Sequence, residues 1–298
     1  MRIGYYVSER GSTFDEIIDN AKTAAAAGFP TLWASDVGSW DALVGLAVLG
    51  REVPGVELAS GVVVSHSRPP LTLAAQALTV QAATGDRLTL GVGVSHQYVV
   101  EAQFGASFER PARHLREYLG GLVPLLRGES VDVRGETLRV SGSLITPGVR
   151  APSVLVGALG PAMLRVAGEL ADGTVTAWAG PRALGEHIVP SITKAAAGRP
   201  APRVVASSLV SVTQDPAALR AALAEQFAVV RDVPHYRATL DREGVTDIGE
   251  TAIVGDEAEV ARRIRALFDA GATELMALPC GSAEDRVRTT AILAELAG

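Results

Sequence analysis

The residues best equipped for chemistry stand where apolar runs stop abruptly. Residues 87–96 carry Leu88, Leu90, Val92 and Val94 with glycines at 91 and 93, follow a Gly85-Asp86 turn, and end in Ser95-His96. This pattern predicts a buried strand that delivers a hydroxyl and an imidazole at its carboxyl end. An imidazole with an unperturbed pKa near about 6.5 gives or takes a proton at neutral pH. His96 is therefore the candidate proton donor or acceptor, or else the group that orients a ring or a carbonyl. Asp36 ends another run, Thr31-Leu32-Trp33-Ala34-Ser35, and supplies a carboxylate. Two further runs end in small residues followed by proline: Gly157-Ala158-Leu159-Gly160-Pro161 and Thr176-Ala177-Trp178-Ala179-Gly180-Pro181. Turns of this kind lead into helices whose free N–H groups hold phosphate. Two in succession, beside a floor of Val, Gly and Ala, favour a large phosphorylated planar cofactor over a small charged substrate.

Other chemistries lack their parts. The sequence contains no Gly-x-Ser-x-Gly, His-Glu-x-x-His or Gly-x-x-x-x-Gly-Lys-Ser/Thr motif, and Gly91-Val92-Gly93 lacks the third glycine of a dinucleotide fingerprint. Asp36, His66 and His96 fall on three separate strand ends, and no metal site is expected from them. The net charge of −6 offers no electrostatic basis for nucleic acid or a membrane surface, both of which need concentrated Lys and Arg. The single cysteine, Cys280, excludes an internal disulfide and reads as a buried thiol in a reducing compartment. The opening Arg2-Ile3-Gly4-Tyr5-Tyr6-Val7 has no leader pattern, and no run of 18 apolar residues follows, so a cytoplasmic protein is expected.

Positioning these residues is the task of a regular β-α rhythm. Strands are predicted over residues 3–7, 31–35, 57–64, 87–94, 153–157, 173–178, 203–212 and 274–278, each followed by helix. Local signals support the helices. Thr13 and Glu16 form a capping box, with Gly28 at the far end, while Asp215-Pro216 and Asp256 with Glu259 open later helices. Pro190 should bend the helix over 181–197. Residues 129–150 read as a surface hairpin, and residues 231–255 as a charged interruption. Eight units in 298 residues of unbroken composition describe one α/β domain, a (β/α)8 TIM barrel with insertions before strand 5 and between strands 7 and 8. A doubly wound open sheet is the competing topology.

In such a barrel the functional face is the carboxyl end of the strands. That filter selects Ser8, Glu9, Asp36, residues 62–66, Ser95, His96, residues 158–161 and 176–180, Ser211, Thr213 and Cys280. It sets aside His114, His187 and His235 as solvated or core-edge side chains.

The ordered segments Ala25-Ala26-Ala27-Gly28-Phe29 with Thr31-Leu32-Trp33, Gly61-Val62-Val63-Val64 with Arg68-Pro69-Pro70, residues 85–93, Gly160-Pro161 with residues 167–173, and Val254-Gly255 with Ala270-Gly271-Ala272 carry a likeness. The chain resembles the bacterial luciferase-like superfamily of flavin- and deazaflavin-dependent oxidoreductases, above all the subgroup using coenzyme F420. The resemblance implies hydride transfer between the deazaflavin and a small organic substrate, and a homodimer. It also implies a non-prolyl cis peptide at Gly61–Val62 behind the cofactor ring. Cofactor contacts would come from Asp36, Gly61, Val62, Gly93, Ser95, Gly157, Ala158, Leu159, Gly160, Thr176, Trp178, Ala179 and Gly180, and catalytic roles would fall to His96 and Asp36. Sugar-phosphate-oxidising members follow the second-strand Asp with His, where this chain has Val37, and carry Glu in place of His96, so their acid–base pair does not transfer. An FMN-dependent monooxygenase of the same superfamily, or a non-catalytic flavin- or F420-binding protein, are the alternative readings.

Overall fold

A computed structural model describes residues 1–7, 11–36 and 40–298. Ser8, Glu9 and Val37 lie outside the described residues. In chain order the strands are β1 (Ile3–Tyr6), β2 (Thr31–Ala34), β3 (Glu57–Ser60), β4 (Val63–Val64), β5 (Leu88–Gly93), β6 (Val131–Arg134), β7 (Arg139–Gly142), β8 (Ser153–Gly157), β9 (Gly173–Val175), β10 (Arg203–Val212), β11 (Ile253–Gly255) and β12 (Glu274–Pro279). Parallel pairing runs β12-β1-β2-β3-β5-β8-β9, and β10 joins β9 to β12. The sheet therefore closes into the expected barrel of eight parallel strands, and the open-sheet alternative falls. Closure removes the edges of the eight barrel strands, which is what lets short, fully buried strands persist.

Two apolar layers hold the barrel. Outside it, the strands bury Leu32, Leu58, Leu90, Val156, Val210 and Leu275 against the helices. Inside it, alternate positions of the same strands point inward, and Trp33, Ala59, Leu155, Val175, Val205 and Met276 fill the lumen. At the amino-terminal end of the strands Glu274 is fully buried, and it ties Arg2 (3.1 Å) to Arg203 (2.9 Å). At the same end Arg87 donates to the carbonyls of Gly50, Val53, Val56 and Thr84, binding the ends of two helices.

Most local signals act as read. Thr13 and Glu16 make the capping box, Gly28 takes φ +93°, and Asp215 and Asp256 cap their helices. The residues of 129–150 contribute the antiparallel pair β6–β7.

Five expectations need correction. The third strand breaks at Gly61-Val62 into β3 and β4, and the sixth stops at Val175 rather than Trp178. Pro190 has no N–H for the helical ladder, and the helix is re-registered through a π turn, Leu184–Ile188, before resuming at Val189–Ala195. The charged interruption holds helices Pro234–Glu243 and Ile248–Thr251, and its β11 pairs with the distal half of β10. Cys280 is half-buried rather than buried, with its Sγ 3.6 Å from the Val210 carbonyl.

Candidate functional site

All six residues of β5 are buried, and the chain turns at Ser95, whose φ of +63° is unusual for a side-chain-bearing residue. That turn lets His96 begin helix Gln97–Gln103, with its carbonyl accepting from Val100 N at 2.9 Å. The imidazole is held from three directions. Tyr98 and His235 stack on it at centroid distances of 5.6 and 5.9 Å, and the hydroxyl of Tyr236 lies 3.0 Å from Nε2. The Tyr236 ring in turn packs on Trp178 at 4.8 Å, and Trp178 on Phe227 at 5.0 Å. The ends of β5 and β9 are thus bridged by helix Pro234–Glu243 from the second insertion.

Burial decides the charge states here. It lowers the pKa of His96, and, with His96 beside it, holds His235 down at about 4. Burial and then Tyr98 push Tyr236 upward. At neutral pH both imidazoles are neutral and the phenol keeps its proton, so the group is a set of uncharged donors and acceptors.

The second feature is the break in strand three. The Gly61–Val62 bond is cis, as the resemblance implied. Asp36 and its backbone fasten this bulge: Asp36 N donates to Val62 O at 3.2 Å, and the carboxylate accepts from Ala42 N at 3.0 Å and Arg68 Nη2 at 3.0 Å. Asp36 is therefore engaged with Arg68, which also meets Asp41 at 3.2 Å. These contacts give the carboxylate a structural task, holding the bulge. Below the bulge, a Cβ on Gly61 would stand 2.7 Å from Met276 Sδ. Above β5, a Cβ on Gly93 would stand 2.6 Å from Val62 Cγ2, and one on Gly157 would stand 3.5 Å from Val62 Cγ1. The glycines thus make room for the Val62 side chain, and a flat ring would meet Val62 rather than bare strand backbone.

The two proline-led turns separate. Gly160 caps helix Pro161–Leu170, and a Cβ placed there would meet nothing within 4 Å. Behind it Ala158 and Leu159 are buried, and the Leu159 carbonyl faces His187 Nε2 at 3.0 Å. At the other turn a Cβ on Gly180 would run into the carboxylate of Glu243, which accepts from Ala183 N at 2.9 Å. A carboxylate already sits at that helix start and occupies one of its donors, which works against phosphate at Gly180. Ala179 is buried beside a cavity of about 190 Å³ lined also by Glu243 and Arg263, away from His96. Trp178 serves the aromatic group instead. Thr176 is buried at the end of β9, and its Oγ1 has no hydrogen-bond partner among the described residues.

Sequence reasoning missed Tyr236 and set aside His235 and His114. His235 and Tyr236 reach the site because a 10-residue insertion helix folds over the barrel mouth. The one available signal was adjacent His235-Tyr236 in a chain only 5% aromatic. His114 stacks on His66 at 4.0 Å, and burial, then His66, holds its pKa at about 4.

Comparison with known proteins gives the family. The model of luciferase-like monooxygenases matches residues 1–274. A 5,10-methylenetetrahydromethanopterin reductase of Methanolobus tindarius is 28% identical over 250 residues, covering 81% of this chain and 76% of the relative. Among solved structures, the coenzyme F420-dependent tetrahydromethanopterin reductase of Methanopyrus kandleri superposes with a TM-score of 0.80 at 22% identity, covering 99% of this chain and 97% of that one. The FMN complex of the oxygenating component of a diketocamphane monooxygenase from Pseudomonas putida gives 0.79 at 18% identity, covering 100% and 97%. These two likenesses confirm the barrel, and the family model decides membership: the chain belongs to the luciferase-like monooxygenase family.

Proposed function

We propose that this protein is an oxidoreductase that moves a hydride between coenzyme F420 and a small organic substrate. The observation that carries the reading is the Val62 bulge, a side chain packed over Gly93 and Gly157 and fastened by Asp36. It offers one broad apolar contact to a planar ring, with the unpartnered Thr176 hydroxyl and the open helix start at Gly160 nearby in the order of strand ends. These residues fit a ring with a phosphorylated tail. Bound F420 would supply a hydride carrier, and the protein's part is binding, orientation and proton handling.

Gly61 and Val62 would back the ring, Ser95 and Thr176 would contact its edge, and the residues at 157–160 would hold the phosphate. Asp36 would keep the bulge in place. His96, uncharged and at the end of β5, would hold or move the proton that accompanies the hydride. The coenzyme F420-dependent reductase of Methanopyrus kandleri supports F420. The Pseudomonas putida complex makes FMN the second reading.

Titration of the apo-protein with F420 and with FMN, followed by quenching of tryptophan fluorescence, tests the proposal. F420 should bind at much lower concentration, and a preference for FMN would sink it. Tight F420 binding with no turnover across enones, imines and secondary alcohols would favour a carrier.

A further inference from the structure

We infer that Tyr236 is the positioning residue of the site: its hydroxyl donates to His96 Nε2, fixing the imidazole as the Nδ1–H tautomer and turning that N–H toward the substrate. The inference rests on the hydride-transfer reading for its consequence, though not for its geometry. The Tyr236 oxygen lies 3.0 Å from His96 Nε2. Its ring is clamped by Trp178 at 4.8 Å and by the adjacent His235 at 4.3 Å, so the hydroxyl cannot swing freely. Which ring nitrogen of a histidine bears the proton is set by the bond made at the other. Burial keeps the phenol protonated and the imidazole neutral, and a phenol is a stronger donor than an imidazole N–H, so the O–H points to Nε2. His96 Nδ1 has no hydrogen bond among the described residues.

The chemical consequence is a neutral N–H donor where the family resemblance led one to look for a carboxyl group. A neutral donor suits a carbonyl oxygen or imine nitrogen, which gains negative charge as the neighbouring carbon receives hydride. The groups around it, Tyr98, His235, Tyr236 and Trp178, are aromatic, and burial keeps His235 and Tyr236 uncharged at neutral pH. They favour a neutral, unsaturated substrate over a sugar phosphate or another anion. Because Tyr236 is carried by Pro234–Glu243, the insertion between strands 7 and 8 completes the site rather than only covering it.

The test reads the tautomer directly. In the ¹⁵N-histidine-labelled chain, with the His96 signals assigned by their loss in His96→Ala, the wild type should show the proton on Nδ1. Tyr236→Phe should move it largely to Nε2, while the aromatic packing persists. A wild-type proton on Nε2 would overturn the inference. In turnover, Tyr236→Phe should lower kcat about tenfold with the F420 affinity unchanged, the loss of one oriented hydrogen bond. In a His96→Ala background the same change should have no further effect. An equal loss with and without His96 would reduce Tyr236 to a packing residue and overturn the inference. The nitrogen spectra need no cofactor, so failure of F420 to bind would count against the functional proposal alone.

Discussion

Gly93→Ala perturbs the site with one methyl group, and its effect follows from the contacts at that position. Gly93 does not adopt the left-handed conformation, so alanine suits its backbone and only space is at issue. The new Cβ would lie 2.6 Å from Val62 Cγ2, whereas carbon atoms pack at about 3.5–4.0 Å. Val62 must therefore retreat by about 1 Å, an estimate from that packing distance. Overpacking of this degree costs about 2 kcal/mol. Val62→Ala alone should cost about 1 kcal/mol, and in the double variant the clash disappears, giving a favourable coupling of about 1 kcal/mol or more. Urea denaturation followed by tryptophan fluorescence would measure all three. F420 affinity should fall about tenfold in Gly93→Ala, because the displaced Val62 is the proposed ring contact. A Gly93→Ala protein within about 0.5 kcal/mol of wild type, or one that Val62→Ala fails to rescue, would refute the assignment of Val62.

Three further outcomes are expected. Gly160→Ala meets no neighbour and has an ordinary φ of −86°, so stability should hold or rise by about 0.5 kcal/mol while F420 affinity falls, as read by denaturation and titration. His114 and His235, both held at about 4 against an ordinary value near 6.5, bind fewer protons folded than unfolded between those values. Their contribution should be complete above pH 6.5 and lost as pH falls toward 4, and His114→Gln should flatten that part of a Tm–pH curve, before the lowered carboxylates Glu117 and Asp86 begin to protonate. Arg87→Ala should cost about 3 kcal/mol in denaturation, since four backbone carbonyls lose a charged donor. F420 affinity of the folded variant should be unchanged, because Arg87 acts at the opposite end of the barrel.

The legible part of the sequence was the part written in local chemistry. Thr13 and Glu16, Asp215-Pro216 and Asp256 state where helices begin because a cap needs only residues three apart. The eight apolar runs state the strands because each must be buried on both faces. The first glycine-led turn, at 157–160, opens a helix with no side-chain cap, whereas the second meets a carboxylate. Nothing near Gly180 in sequence announces that Glu243, 63 positions later, would place a carboxylate on it.

The sequence by itself favoured the barrel over an open sheet and placed His96 at a strand's carboxyl end, the face where function lies in such a barrel, while the Gly61–Val62 bulge was implied by the family resemblance. Only the tertiary structure decided what surrounds them. It engaged Asp36 with Arg68, filled the space over Gly93 with Val62, and brought His235 and Tyr236 across 140 residues to His96. The physical reason is range: capping and periodicity act over one or two turns of chain, whereas the packing, ion pairing and desolvation that define the site act between strand ends that become neighbours only when the barrel closes.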